Sequence, residues 1–144
     1  MDIVPYSELY RDDVITIINN FYAEALSAFS RVISIPALEA TIQKYKEDSF
    51  LLIVDNKCEG IIAGTRVNSP LNNDKVYQEM IWYINKKSRH LGVLMMIKVE
   101  AVLKEKGYTQ LIMALIHGSK EDKLGRFYER NGFKPFETHY LKNL

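Results

Sequence analysis

The sequence predicts an α/β (α+β) fold: a mixed, mostly antiparallel central sheet flanked by helices. Three observations lead there. The apolar runs Phe50–Val54, Gly60–Val67 and Glu79–Ile84 have strand length and are separated only by turn-like segments, so they form consecutive antiparallel strands. The period then changes, and from Val93 to Leu103 the apolar residues recur at helical spacing. This helix lies between Glu79–Ile84 and a further apolar run, Leu111–Ile116. A right-handed strand-helix-strand crossover makes those two strands parallel, and the sheet is therefore mixed.

The elements follow in order. A short first strand lies around Ile3 and Val4. Val14, Ile17, Ile18, Phe21 and Ala25 then fall on one face of a helix whose start carries Asp12 and Asp13, where carboxylates meet the positive end of the helix dipole. Pro36, suited to a first helical turn, opens a second short helix with Leu38, Ile42 and Tyr45 facing inward. The stretch between them, Ser27–Ile35, has no clean period and is placed to shape a substrate pocket. Asp55, Asn56 and Lys57 give a polar hairpin turn, and Pro70–Asp74 a second turn. Gly64, inside a strand, marks a bulge or a close backbone approach. Gly107 sits where the long helix ends. After a polar loop, His117–Asp122, a last helix carries Tyr128, and two short strand-like pieces around Phe133 and Tyr140 close the chain.

Size and charge narrow the functional classes. The chain of 144 residues, 47% hydrophobic and 11% aromatic, is sufficient for one core and reads as a single domain over 1–144. Nineteen basic residues against eighteen acidic ones give a formal charge of +1, so no global field favours nucleic acid or an anionic membrane. One cysteine, Cys58, excludes an internal disulfide, and it has no neighbouring group in sequence that would activate a thiolate. Three scattered histidines lack the paired spacing of zinc sites, so no metal is expected. With no leader-like start and no apolar run of membrane length, the chain reads as cytoplasmic.

The chemistry concentrates between Glu79 and Gly107. A strand delivers the chain to a basic loop holding Arg89 and Gly92, and the loop opens a helix. Backbone amides of His90, Leu91, Gly92, Val93 and Leu94, with the positive end of the helix dipole, form a ready site for a pyrophosphate, to which Arg89 adds charge. A solvated basic turn is the plainer reading of the same residues. Glu79 lies in an otherwise apolar strand, where a carboxylate must be hydrogen-bonded, paired or at the open end of a cleft, and this makes it the base candidate; a strand-end glutamate facing solvent is the alternative. Tyr128, with an ordinary pKa near 10, is chemically suited to give a proton to a leaving thiolate of pKa about 8.5.

The run Arg89-His90-Leu91-Gly92-Val93-Leu94 resembles the cofactor motif of the GCN5-related N-acetyltransferase (GNAT) superfamily: Arg or Gln, two residues, Gly, one residue, then Gly or Ala. A second run, Gly125-Arg126-Phe127-Tyr128-Glu129-Arg130-Asn131-Gly132-Phe133, resembles the family's late helix and its ending. The resemblance spans nearly the whole chain and is nearest to the small acetyltransferases of bacteriophage genomes. It implies a GNAT-like acyl-CoA acyltransferase fold in which acetyl-CoA enters a V-shaped opening between the strand of Trp82 and the strand of Leu111. Main-chain groups of Trp82, Tyr83 and Ile84 would pair with the pantetheine amides, while the Trp82 side chain itself packs in the core. Tyr128 would protonate the departing thiolate, and the acidic residue on the strand, Glu79, would draw the amine proton. The implied activity is transfer of an acetyl group from acetyl-CoA to a primary amine by direct attack in a ternary complex. Leu94 stands where the family has Gly or Ala, and from this departure comes a competing expectation, a catalytically inactive binding or interaction module of the same fold. The acceptor is an amine of unknown size, and apolar residues in the terminal strands would permit a homodimer through a sheet edge.

Overall fold

A computed structural model of the protein describes residues 1–27, 34–116, 118 and 120–144. The chain divides into two compact units, Met1–Ala114 and Leu115–Leu144. The stretch expected to shape a substrate pocket, Ser27–Ile35, lies largely outside the described residues, as does His117 in the expected polar loop.

In the first unit, β1 (Asp2–Pro5), α1 (Arg11–Phe21), α2 (Ile35–Lys44), β2 (Ser49–Val54), β3 (Lys57–Asn68), β4 (Lys75–Ile84), α3 (Gly92–Glu105) and β5 (Gln110–Ile112) follow in order. α1 buries Val14, Ile17, Ile18 and Phe21 at the expected spacing, each worth roughly 1.5–3 kcal/mol when fully removed from water. It runs directly into a single π-helical turn, Tyr22–Leu26, which carries Glu24. α2 is capped by Ser34, whose hydroxyl accepts from the Ala37 amide at 3.3 Å, and Pro36 occupies its first turn. Ile42 is the side chain that α2 buries; Leu38 and Tyr45, expected inward, are only partly covered.

The five strands form one sheet in the order β1-β2-β3-β4-β5, antiparallel throughout except for the parallel β4–β5 pair. The mixed, mostly antiparallel sheet read from the sequence is therefore the observed one. The β2–β3 hairpin closes through Asp55 and Asn56 with φ of 50° and 63°, both left-handed, a conformation that short polar Asp and Asn tolerate and that matches strand twist. The α1 and α3 helices cover opposite faces. Tyr83 of β4 meets Phe21 of α1 edge-on at 6.3 Å. A Cβ on Gly92, the first residue of α3, would lie 3.6 Å from Ile84 and 3.7 Å from Trp82.

Two irregularities in β4 prepare the site. Between β3 and β4 the register pairs Ala63 with Ile81 but Gly64 with Glu79, which leaves Met80 as an extra residue. The alternation of faces slips across Met80, so that Tyr77 and Glu79 fall in phase with Trp82 and Ile84. Gly64 is required here by packing: a Cβ would lie 2.4 Å from the Tyr77 ring and 2.7 Å from the Gln78 carbonyl oxygen. The bulge and the close approach thus coincide, and the approach is to the protein's own atoms. The second irregularity is a fork. β5 pairs with β4 only at Val76–Gln110, Tyr77–Leu111 and Gln78–Ile112, and from Glu79 to Ile84 no strand lies on that side of β4 among the described residues.

In the second unit, α4 (Glu121–Arg130) ends as anticipated at a glycine, Gly132, with φ of 86°. The Phe133 and Gly132 amides donate to the carbonyls of Tyr128 and Glu129, and so consume the last helical acceptors. The strands expected around Phe133 and Tyr140 are absent from the structure. Pro135 removes an amide from this segment, and Phe136, Tyr140, Leu141 and Leu144 remain exposed, so apolar residues at strand-like intervals gain neither ladder nor burial.

Candidate active site

The fork is built around Glu79. Where the parallel ladder would continue, the Ala114 amide instead donates to Glu79 Oε2 at 2.8 Å. The carboxylate thus caps the end of the β4–β5 pairing. Burial pushes the Glu79 carboxyl up from 4.5 to about 7, against the opposing pull of the Ala114 hydrogen bond. A side chain poised near neutrality can accept a proton from an ammonium-derived amine and return it to solvent. Glu79 lies within β4, half-buried and hydrogen-bonded, and not at a solvated strand end.

Beyond Glu79, Trp82, Tyr83 and Ile84 pair with Ile62, Ile61 and Gly60 of β3, and among the described residues no second strand flanks them. Tyr83 and Ile84 are buried and Trp82 is half-buried. A strand flanked on one side only has the geometry to which an extended ligand can add, although the Ile84 carbonyl here already accepts from Arg89 Nε.

The basic segment after β4 is more ordered than a loop. Lys86–Leu91 winds as a 3-10 turn that leads straight into α3. The Ser88 amide donates to Asn85 O at 2.9 Å, and the Gly92 amide donates to Arg89 O. One of the amides expected to cradle a pyrophosphate is therefore already engaged. His90, Val93 and Leu94 are exposed, and Leu91 is half-buried. Arg89 is also committed: its Nε donates to Ile84 O at 3.0 Å, its Nη2 meets Glu24 Oε2 at 2.7 Å, and its guanidinium lies 5.4 Å from the centre of the Tyr83 ring. Lys86 lies 3.9 Å from Glu24, and Lys87 lies 2.8 Å from Glu59. Arg89, Lys86 and Lys87 thus each have a carboxylate partner.

These two carboxylates were not visible in the sequence as site residues. Glu24 also accepts from the Tyr83 hydroxyl at 2.7 Å. Burial would raise its carboxyl, but the hydrogen bonds from Tyr83 and Arg89 and the charges of Arg89 and Lys86 outweigh it and hold Glu24 below the ordinary range. Glu59, only 4% exposed, accepts from Asn85 Nδ2 at 3.0 Å and is held low in the same way, with burial overcome by Lys87 and Asn85. Both line a polar cleft of about 580 Å³ beside α1, with Asp13, Lys57 and Tyr83. Cys58, in the same wall, is 3% exposed, and burial pushes its thiol up to about 12. A thiol in that state is a poor nucleophile.

Gly92 bears on whether an acyl-CoA can be held. Its φ is −57°, its added Cβ would make only ordinary contacts, and neither backbone nor packing demands a glycine. A glycine in a helix costs up to about 1 kcal/mol relative to alanine. Gly92 is nonetheless buried, and the side on which it lacks a Cβ faces Ile84 and Trp82. The first turn of α3 and the end of β4 are held side by side there, and these are the residues that would receive the pantetheine and phosphates of an acyl-CoA.

In the second unit, the Tyr128 ring lies 5.3 Å from that of Phe133 and 6.1 Å from that of Phe127. The helix end at Gly132 thus fixes Tyr128 against an aromatic partner.

No protein-family model and no curated protein sequence matches the chain. Solved structures do match, over nearly their whole length. Ribosomal-protein-alanine N-acetyltransferase from Brucella melitensis biovar Abortus 2308 superposes with a TM-score of 0.76 at 15% identity, covering 99% of this chain and 98% of the other. AAC(6')-Iy in complex with the bisubstrate analogue CoA-S-monomethyl-acetylneamine gives 0.75 at 12% identity, covering 99% and 97%. A transcriptional regulator from Bacillus halodurans C-125 gives 0.72 at 14% identity, covering 99% of both chains. The chain has the GNAT-type acyltransferase fold.

Proposed function

We propose that the protein is an acetyl-CoA-dependent N-acyltransferase that moves an acetyl group to a primary amine by direct attack in a ternary complex. The observation that carries this reading is the fork: a half-buried carboxylate, Glu79, pushed up by burial and held by the Ala114 amide, sits where the pairing of β4 with β5 ends. The solved acetyltransferases of the same fold support it, one of them holding a CoA bisubstrate analogue.

Acetyl-CoA supplies the activated acetyl group. Backbone groups of Trp82, Tyr83 and Ile84 hold it in an extended pose, and Gly92 with the first turn of α3, Val93 and Leu94 included, receives its phosphates beside Arg89, His90 and Leu91. Glu79 takes the proton of the attacking amine. Tyr128 returns a proton to the departing sulfur, and residues 1–144 act as one catalytic domain. The reading extends to a cytoplasmic enzyme of the small bacteriophage type, the group that the sequence resembles over nearly its whole length. The acceptor is an amine-bearing molecule.

A calorimetric titration of the purified protein with acetyl-CoA tests the reading without knowledge of the acceptor. Micromolar binding is the expected result. No heat at millimolar ligand would overturn it in favour of a module that keeps the fold without turnover, the alternative that Leu94 at the motif's last position suggests.

Once an acceptor is in hand, Tyr128→Phe is expected to lower kcat about tenfold and to leave acetyl-CoA affinity unchanged. The effect is modest for acid catalysis because a thiolate, with a pKa about 8.5, already leaves readily. A kcat within error of the wild type would remove Tyr128 from the mechanism.

A further inference from the structure

The Glu24 carboxylate ties three separate segments together. It belongs to the π-helical turn that interrupts the end of α1, and it receives the Tyr83 hydroxyl of β4 at 2.7 Å and Arg89 Nη2 of the 3-10 turn at 2.7 Å on its two oxygens. Arg89 in turn donates through Nε to the carbonyl of Ile84, the last residue of β4, and stacks over the Tyr83 ring. A π turn adds a residue to the helical circuit and displaces the side chains that follow, a feature often found where a helix serves a site. Here it carries Glu24 to the end of the strand next to which the acyl donor is read to bind.

We infer that Glu24 is a positioning residue for the acyl-donor site: it clamps Arg89 and Tyr83 so that the end of β4 and the entry to α3 at Gly92 hold one geometry. This rests on the acyltransferase reading given above. A free arginine side chain is rich in rotamer entropy, and one held on both Nε and Nη2 has surrendered it before any ligand arrives. The remaining guanidinium donors then face an anion without further ordering. The same pair fixes the direction in which Ile84 O points, which bears on the strand edge that pantetheine would follow. Glu24 touches no reacting atom.

The test is a cycle of E24A, R89A and the double variant, with E24Q added, measured by acetyl-CoA titration and by the NMR signal of the Arg89 Nε–H. Wild type is expected to show a slowly exchanging Nε–H, and E24A to lose it. E24A should weaken acetyl-CoA binding about tenfold, with kcat within twofold of wild type, and E24Q, which keeps an acceptor oxygen, should lose less. In the R89A background E24A should add nothing, because Glu24 acts through Arg89. A general loss of stability would move both readouts in either background, so an additive cycle overturns the inference. Unchanged affinity in E24A, or tighter binding as expected of a carboxylate that competes with phosphate, also overturns it. Absence of binding by the wild type overturns the acyltransferase reading, and this inference falls with it.

Discussion

Glu79→Gln is expected to lower kcat/KM by about a thousandfold, within the range for loss of a general base, while the protein stays folded. The substitution is close to isosteric, and the side-chain amide oxygen it introduces can still accept from the Ala114 amide that now donates to Glu79 Oε2. The fork should therefore survive and only the titrating group be lost. The pH behaviour separates the two roles. Burial pushes the Glu79 carboxyl up from 4.5 to about 7, so the base form accumulates as pH rises through 7, and wild-type kcat/KM should climb there and level off. E79Q should lack that limb. Stability runs the other way: a carboxyl with a raised folded pKa adds stability that is complete below 4.5, declines between 4.5 and about 7, and is gone above. E79Q should therefore not share the wild type's loss of stability across that window. A denaturant series at several pH values checks this, and an E79Q variant with wild-type kcat/KM would remove Glu79 from the chemistry.

Gly64→Ala is expected to destabilise the fold by about 3 kcal/mol, at the upper end of overpacking costs. The added methyl carbon would sit 2.4 Å from the Tyr77 ring and 2.7 Å from a backbone oxygen of β4. Tyr77 cannot swing aside cheaply: it is fully buried and its hydroxyl donates to Asp48 O at 2.7 Å. Asp48 is held in place by Lys106 at 3.0 Å and by the Tyr108 hydroxyl at 2.7 Å, so the ring, its acceptor and the acceptor's partners would have to move together. Urea unfolding read by tyrosine and tryptophan fluorescence gives the number. A change under about 0.5 kcal/mol, the scale of an ordinary surface substitution, would mean that β3 shifts to accommodate the methyl.

The parts of the fold that local patterns encode were legible in the sequence. The switch from strand to helical period near Val93 gave the crossover and hence the parallel pair, and Asp55-Asn56 gave the hairpin. Glu79 drew notice as a charge in an apolar strand, and Gly64 as a glycine in one. What the sequence concealed depends on distant partners. Glu24 meets Arg89 across 65 residues and Glu59 meets Asn85 across 26, so nothing beside either glutamate marks it as part of the site. The same blindness turned the Arg89 segment into a free basic loop, because its charges look unpaired until Glu24 and Glu59 are brought up to them. At the other end of the chain, Phe133 and Tyr140 look like strand residues by spacing, but strand formation needs a neighbour with which to share hydrogen bonds, and spacing says nothing of that.

The bulge at Met80 has a consequence for how this protein can change over generations. The side on which Glu79 emerges is set by its pairing with Gly64, and Met80 is the one extra position between that pair and Ala63–Ile81. A substitution at Met80 alters a side chain and leaves that pairing intact. A single-codon deletion there would restore a regular ladder with Glu79 still opposite Gly64, and Glu79 and Tyr77 would stay on the face of Trp82 and Ile84. The bulge is thus a spare position, and sequences descended from this one should tolerate both substitution and loss of the residue at Met80 while keeping a glycine opposite Glu79.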